Sequence, residues 1–239
     1  MSQHIGIVAC SAEGAALCYR TICEEGPQIL GAHAHPEVSM HTHSFADYVH
    51  SIDRGDWQGV SELMFSSASK LASVGCDFLI CPDNTLHQSL PYLESRSPLP
   101  WLHIAEVVAR NAVERGFRCL GLMGTRWLVE SQVYPEKLRA HGLRYVLPSP
   151  ADREAIHGII MGELVLGVFT PEAVARHQQV IEEMKSQGCD AVVLGCTEIP
   201  LIISDENSPL PPLDSTRLLA REALMRAAEG RSRAARERT

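Results

Sequence analysis

Apolar positions along this chain fall into two alternating patterns: short continuous runs, and longer stretches at helical spacing. "HIGIVAC" near the start is apolar on both faces of an extended strand, and "PEVSMHTHSF" and "DFLIC" read as two further strands. Between the last two lies "WQGVSELMFSSASKLASVG", an amphipathic helix that Gly75 closes. The second half repeats the alternation, with strands at "RCLGLMG", "LRYVL" and "DAVVLG" and helices at about 127–140, 151–166 and 171–187, the last closed by Gly188. Helices at 104–115 and about 215–228 complete the pattern. Apolar strand runs separated by helices indicate parallel sheets covered on both faces, an α/β fold.

The chain also repeats itself. "GCDFLICPDNTL" (75–86) lies over "GCDAVVLGCTEI" (188–199) without a gap, an offset of 113. "SPLPWLHIAEVVARNAV" (97–113) lies over "SPLPPLDSTRLLAREAL" (208–224) at 111, and "HIGIVACS" over "CLGLMGTR" at 115. Three collinear matches at nearly constant offset predict a duplicated architecture. We therefore expect two similar parallel-sheet α/β domains related by a pseudo-two-fold axis, with a ligand in the cleft between them at the carboxyl ends of the strands. The boundaries this gives are 1–103 plus 208–230 for the first domain, 104–207 for the second, and a disordered tail at 231–239.

Composition narrows the function classes. A formal net charge of -8 argues against a nucleic-acid surface, and the one basic cluster, "GRSRAARERT", has no apolar periodicity. No apolar run approaches the roughly 18 residues that span a membrane. The start lacks a signal-peptide pattern, which predicts a cytoplasmic protein with no membrane partner. Its eight cysteines include no CxxC pair, so reduced, mostly buried thiols are expected. Neither a GxGxxG nor a Walker pattern occurs.

The repeat also sorts the polar residues at the strand ends. Counted from Gly75 and Gly188, Cys81 falls on the apolar Leu194, whereas Asp83 falls on Cys196. Cys81 thus reads as strand core. Asp83 and Cys196 occupy equivalent positions past a strand and before a helix; across a pseudo-two-fold cleft such a pair could move protons on opposite faces of one carbon. Asn84 and Thr85, with Thr197 and Glu198, follow at helix starts, where N–H groups and hydroxyls can hold a carboxylate. Ser11 and Thr125, after the first strand of each half, are further carboxylate donors. The bland reading of all these residues is helix N-capping. A positive helix end would favour a Cys196 thiolate, while burial and that thiolate would keep Asp83 protonated.

At these residues the chain resembles the aspartate/glutamate racemase superfamily of cofactor-independent racemases, nearest its L-aspartate/glutamate branch. "LGCTEIP", "LPWLHIAE", "LGLMGTR" and "LGVFT" carry the resemblance, which covers about residues 4–228. It implies a two-base mechanism without cofactor or metal, a small-molecule amino acid or related carboxylate as substrate, and a homodimer. It makes Cys196 a catalytic cysteine and puts Asp83 where a second cysteine usually stands. It also implies two alternatives: a one-cysteine decarboxylase or isomerase of the same fold, or a catalytically silent binding protein. The branch's substrate-gripping lysine is replaced by Ala155, with Arg153 two residues before.

Histidines remain. "HAHPEVSMHTHS" brings His33, His35, His41 and His43, of which His41 and His43 share a strand face. No carboxylate or cysteine stands at a diagnostic spacing, so we expect no metal there and a polar ligand contact instead. His87, after "DNT", either orients substrate or caps a helix.

Overall fold

The computed structural model describes residues 2–236, with side chains described to residue 230. The chain divides into two compact units, Met1–Ile104 with Leu219–Thr239, and Ala105–Leu218. The first unit holds β1 (Ile5–Ala9), α1 (Ala12–Leu30), β2 (Val38–Thr42), α2 (Phe45–Asp53), α3 (Trp57–Ser73), β3 (Phe78–Ile80), α4 (Leu90–Leu93) and β4 (Trp101–Leu102). The second runs from α5 (Ile104–Glu114) through β5 (Cys119–Met123), α6 (Arg126–Val129), α7 (Val133–Ala140), β6 (Arg144–Val146), α8 (Pro150–Gly162), α9 (Pro171–Ser186), β7 (Ala191–Leu194) and β8 (Pro212–Asp214). The closing helix α10 (Ser215–Arg236) starts in the second unit and continues into the first.

Both sheets are parallel and share one topology, β2-β1-β3-β4 and β6-β5-β7-β8. Their registers also agree: Gly6↔Leu79 and Ile7↔Ile80 in the first sheet correspond to Gly121↔Val192 and Leu122↔Val193 in the second. The repeated motifs make repeated bonds. In "GCD", the Asp77 carboxylate accepts from His4 N at 2.6 Å, and Asp190 accepts from Arg118 N at 2.8 Å and Cys119 N at 3.1 Å. Each aspartate thus staples the start of its sheet's central strand. In "SPLP", the Ser97 hydroxyl donates to Leu99 O at 2.7 Å, and Ser208 to Leu210 O at 2.6 Å. Gly75 and Gly188 both have φ 89°, the left-handed turn that ends the preceding helix.

Alternation along the strands splits the second unit's core between two faces. Cys119, Met123, Val192 and Leu194 pack with Ile156 and Ile160 of α8 and Val180, Ile181 and Met184 of α9. Leu120, Leu122, Ala191 and Val193 pack with Val108 and Ala112 of α5 and Tyr134 and Leu138 of α7. In the first unit Ile5, Ile7 and Val8 of β1 are buried along with Ile22 of α1 and Met64 of α3.

Several elements differ from expectation. The sequence pattern missed α1, which carries Pro27 internally, as well as α2 and the short strands β4 and β8 that follow each "SPLP". The helix expected over 127–140 is two helices, because the Ser131 hydroxyl donates to Leu128 O and accepts from Val133 N between them. Residues 208–218, assigned above to the first domain, lie in the second unit, since β8 pairs with β7. The tail expected from 231 is helical to Arg236, in keeping with its Ala and Arg content; residues 237–239 lie outside the described part. Among the described residues no helix is long and apolar enough to cross a membrane.

Candidate active site

In the first unit the polar groups gather past the end of β3. Cys81 is fully buried and its thiol donates to Asp83 O at 3.7 Å. Burial foremost, then the Asp83 charge, pushes this thiol far above its ordinary range. Cys81 is an inert core residue. Asp83 is half-buried, and its Oδ1 accepts from Thr85 N at 3.0 Å and Leu86 N at 3.3 Å. Asn84 and Thr85 are buried at the start of a 3-10 turn over Thr85–Ser89. His87 is also buried; its Nε2 meets Cys81 O at 3.0 Å, so it carries the ring proton there, and the ring packs edge-on against His103. His87 thus tethers the loop that presents Asp83.

In the second unit the corresponding segment follows β7. Gly195 fits where its backbone N donates to Met123 O at 2.8 Å. A Cβ there would lie 2.7 Å from that same carbonyl and from Leu128 Cδ2. Cys196 is half-buried, and its thiol donates to Glu198 Oε2 at 2.9 Å. The Thr197 hydroxyl donates to the same oxygen at 2.8 Å, and both Thr197 and Glu198 are buried. Glu198, expected to touch substrate, is thus turned toward its neighbours in the motif.

Ser11 and Thr125 are matched N-caps: Ser11 accepts from Gly14 N at the start of α1, and Thr125 from Leu128 N at the start of α6. The helix-end argument for a Cys196 thiolate is weaker than expected, because only a 3-10 turn, Ile199–Leu201, follows. Two backbone N–H groups donate to the Asp83 carboxylate, and the Cys196 thiol donates to the Glu198 carboxylate.

The remaining candidates are occupied elsewhere. Arg153 Nε donates to Pro148 O at 2.9 Å and its guanidinium faces Glu130 at 3.8 Å. His33 and His35 are exposed. His41 and His43 touch edge-on at 4.9 Å and bond to Ser67 and Ser66 of α3. Among the described residues no three His, Cys, Asp or Glu side chains gather as a metal site. Sequence reasoning missed the Cys196–Glu198 contact.

The chain matches the family described as Asp/Glu/Hydantoin racemase over residues 7–223. It is 23% identical over 172 residues to the broad specificity amino-acid racemase RacX of Bacillus subtilis, covering 71% of this chain and 73% of that one. It is 32% identical over 167 residues to a glutamate racemase of Thermus thermophilus, covering 68% of this chain and 60% of that protein. Among solved structures, a Yersinia pestis protein assigned as an Asp/Glu racemase superposes with TM-score 0.85 at 29% identity, over 94% of this chain and 99% of that one. An aspartate racemase homologue from Pyrococcus horikoshii superposes with TM-score 0.80 at 24% identity, over 95% and 100%.

Proposed function

Because the chain belongs to the Asp/Glu/hydantoin racemase family, we propose that it is a cofactor-independent racemase or epimerase inverting the α-carbon of an amino acid. Asp83 and Cys196 serve as its two acid–base groups. The observation that carries this is the equivalence of the two residues: sheets of one order and one register present each of them just past the end of the matching strand.

For one hand of substrate the Asp83 carboxylate removes the α-proton and the Cys196 thiol delivers its own to the opposite face. That leaves a carboxylic acid and a thiolate, which together process the other hand. Unequal bases skew the rates in the two directions but leave the equilibrium between enantiomers untouched. Asn84, Thr85, Ser11, Thr125 and Thr197 supply hydroxyl, amide and N–H donors for the substrate carboxylate. With Ala155 at the position of the branch's lysine and Arg153 engaged by Pro148 and Glu130, the substrate's side chain is not a second carboxylate. The active form is a cytoplasmic homodimer.

A second reading has its own support. The bonds from Thr85 N and Leu86 N fit an Asp83 that only shapes the pocket, with Cys196 alone protonating a carbanion after decarboxylation. A panel of L- and D-amino acids in deuterated water separates the two. A racemase exchanges the Cα proton of both hands, a decarboxylase releases carbon dioxide, and Cys196→Ala retaining full exchange would sink the assignment.

A further inference from the structure

The acid–base chemistry makes no use of the amino end of the second sheet, where two of the cysteines meet. Cys119 opens β5, and Cys189 stands two residues before β7, the strand beside it. Their sulfurs are in contact at 4.0 Å, and both are free thiols. Both side chains belong to the core face that α8 and α9 cover, beside Met184 and Val192. Backbone bonds hold the pair in place. Cys119 N donates to Asp190 Oδ1 at 3.1 Å, Cys119 O accepts from Asp190 N at 2.9 Å, and Cys189 N donates to Met184 O at 3.2 Å. A cysteine side chain turns about one bond only, so two anchored backbones leave the sulfurs few positions in which to avoid each other.

The duplication supplies a comparison within the chain. At the repeat's offsets Cys189 corresponds to Cys76, and Cys119 to His4. Cys76 N donates to Leu71 O at 3.2 Å, as Cys189 N does to Met184 O, and the two cysteines are 5% and 6% exposed. Their settings match except for the partner. Across from Cys76 stands a histidine whose Nε2 meets Ser39 Oγ at 3.0 Å. One unit can close a crosslink at this place and the other cannot. Arg118 and Gly188, which precede the two cysteines of the second unit, are both exposed, so the pair lies one residue beneath the surface. Burial first, then Cys119 and Asp190, lifts the Cys189 thiol to about 12, while Arg144 acts the other way. Thiolate is therefore scarce, and oxidation of the pair is slow.

We propose that Cys119 and Cys189 are an oxidation site, where a hydroperoxide closes a disulfide that ties β5 to the turn before β7 and stabilises the second unit. The Cys189 thiolate attacks one peroxide oxygen: an S–O bond forms, the O–O bond breaks, and the departing hydroxide takes up the proton that the thiol had lost. The Cys119 sulfur then attacks the Cys189 sulfur. The S–S bond forms as the S–O bond breaks, and the hydroxyl leaves with the Cys119 proton as a second water. Two thiols and one peroxide thus give one disulfide and two waters, with two electrons passing from sulfur to oxygen. The sulfurs close from 4.0 Å to about 2 Å, a movement that falls to the turn at Gly188 because Cys119 is fixed within β5. The bond would join points 70 residues apart, so it removes the freedom of a long loop from the unfolded chain. Cys196 lies past the other end of β7, so the crosslink and the candidate site are separate.

The test treats the native full chain with hydrogen peroxide, removes the excess with catalase, alkylates the remaining thiols in denaturant and maps the peptides by mass spectrometry. A Cys119–Cys189 linked peptide should accumulate while Cys76 stays an alkylated thiol. The melting temperature of the treated protein should rise by about 5–10 °C and return to its starting value with dithiothreitol. Cys119→Ser, treated identically, should show no such rise; oxidation of Cys196 is common to both samples and cancels. Cys189→Ser repeats the control from the other side, and the linked peptide in wild type needs neither variant to fold. Cys119 and Cys189 still recovered as thiols when Cys196 is fully oxidised would overturn the proposal. So would a disulfide of Cys189 with any other cysteine, or a linked protein that melts no higher than the reduced one.

Discussion

The Cys196 thiol and the Thr197 hydroxyl both donate to one oxygen of the buried Glu198 carboxylate, at 2.9 Å and 2.8 Å. A carboxylate beside a thiol favours the protonated form. Glu198→Gln keeps an acceptor oxygen but removes the charge, so iodoacetamide should alkylate Cys196 about threefold to tenfold faster at pH 7.5. Peptide mass spectrometry after timed quenching measures this. Slower labelling in the variant would mean that Glu198 takes the thiol proton as a base.

Asp190 holds two backbone N–H groups at the start of β5, while its counterpart Asp77 holds one at the start of β1. Charge-assisted bonds of this kind contribute about 1.5–3 kcal/mol each, less at exposed positions. Asp190→Ala should therefore cost about 2 kcal/mol in urea unfolding, and the exposed Asp77→Ala about half of that. Equal losses, or none, would show that the shared "GCD" has another origin.

Those aspartates also show what was legible in the sequence. "GCD" and "SPLP" occur twice because each makes the same bonds twice, and their nearly constant offset made the duplication visible. The duplication placed Asp83 opposite Cys196 in the alignment and relegated Cys81 to the core, where it is found. α1 was not legible, since Gly14, Gly26 and Pro27 blur its helical pattern. Nor was the orientation of Glu198: a carboxylate two residues from a cysteine points to ligand or to sulfur according to χ angles that spacing does not encode.

Cys81 and Cys196 should differ sharply in chemistry. The first is fully buried, with its thiol far above the ordinary range, and the second is half-buried. Native-state iodoacetamide labelling should reach Cys196 well before Cys81, and Cys81→Ala should keep Cα exchange within about twofold while losing stability to the small cavity. Loss of exchange in a well-folded Cys81→Ala would return Cys81 to the chemistry.

His177 predicts a pH dependence of stability. It is fully buried on α9, with Nδ1 on Ala173 O at 2.8 Å and no partner for Nε2. Burial above all lowers its pKa, against smaller opposing effects of the Ala173 bond and Glu163. A histidine lowered in the folded state is protonated more readily in the unfolded chain. Its contribution is thus complete above the unfolded value near 6.5 and is lost as pH falls below it. Urea midpoints should drop between pH 7.5 and 5.5, and His177→Leu should flatten that drop.

Gly195→Ala should damage the site more than the fold. The added Cβ would meet Met123 O and Leu128 Cδ2, each at 2.7 Å. The leucine can turn aside, but the carbonyl belongs to β5 and accepts the bond from Gly195 N, so the ends of β5 and β7 must part. Overpacking of this kind costs about 1–3 kcal/mol. The displacement begins one residue before Cys196 and would carry its sulfur off line. Gly121→Ala is the control: its nearest neighbour is the Met184 sulfur at 2.5 Å, the far end of a flexible side chain. Gly121→Ala should therefore lose some stability and keep Cα exchange, whereas Gly195→Ala should lose at least about tenfold in exchange at a comparable melting temperature. Equal exchange in the two variants would mean that the position of Cys196 does not limit the reaction.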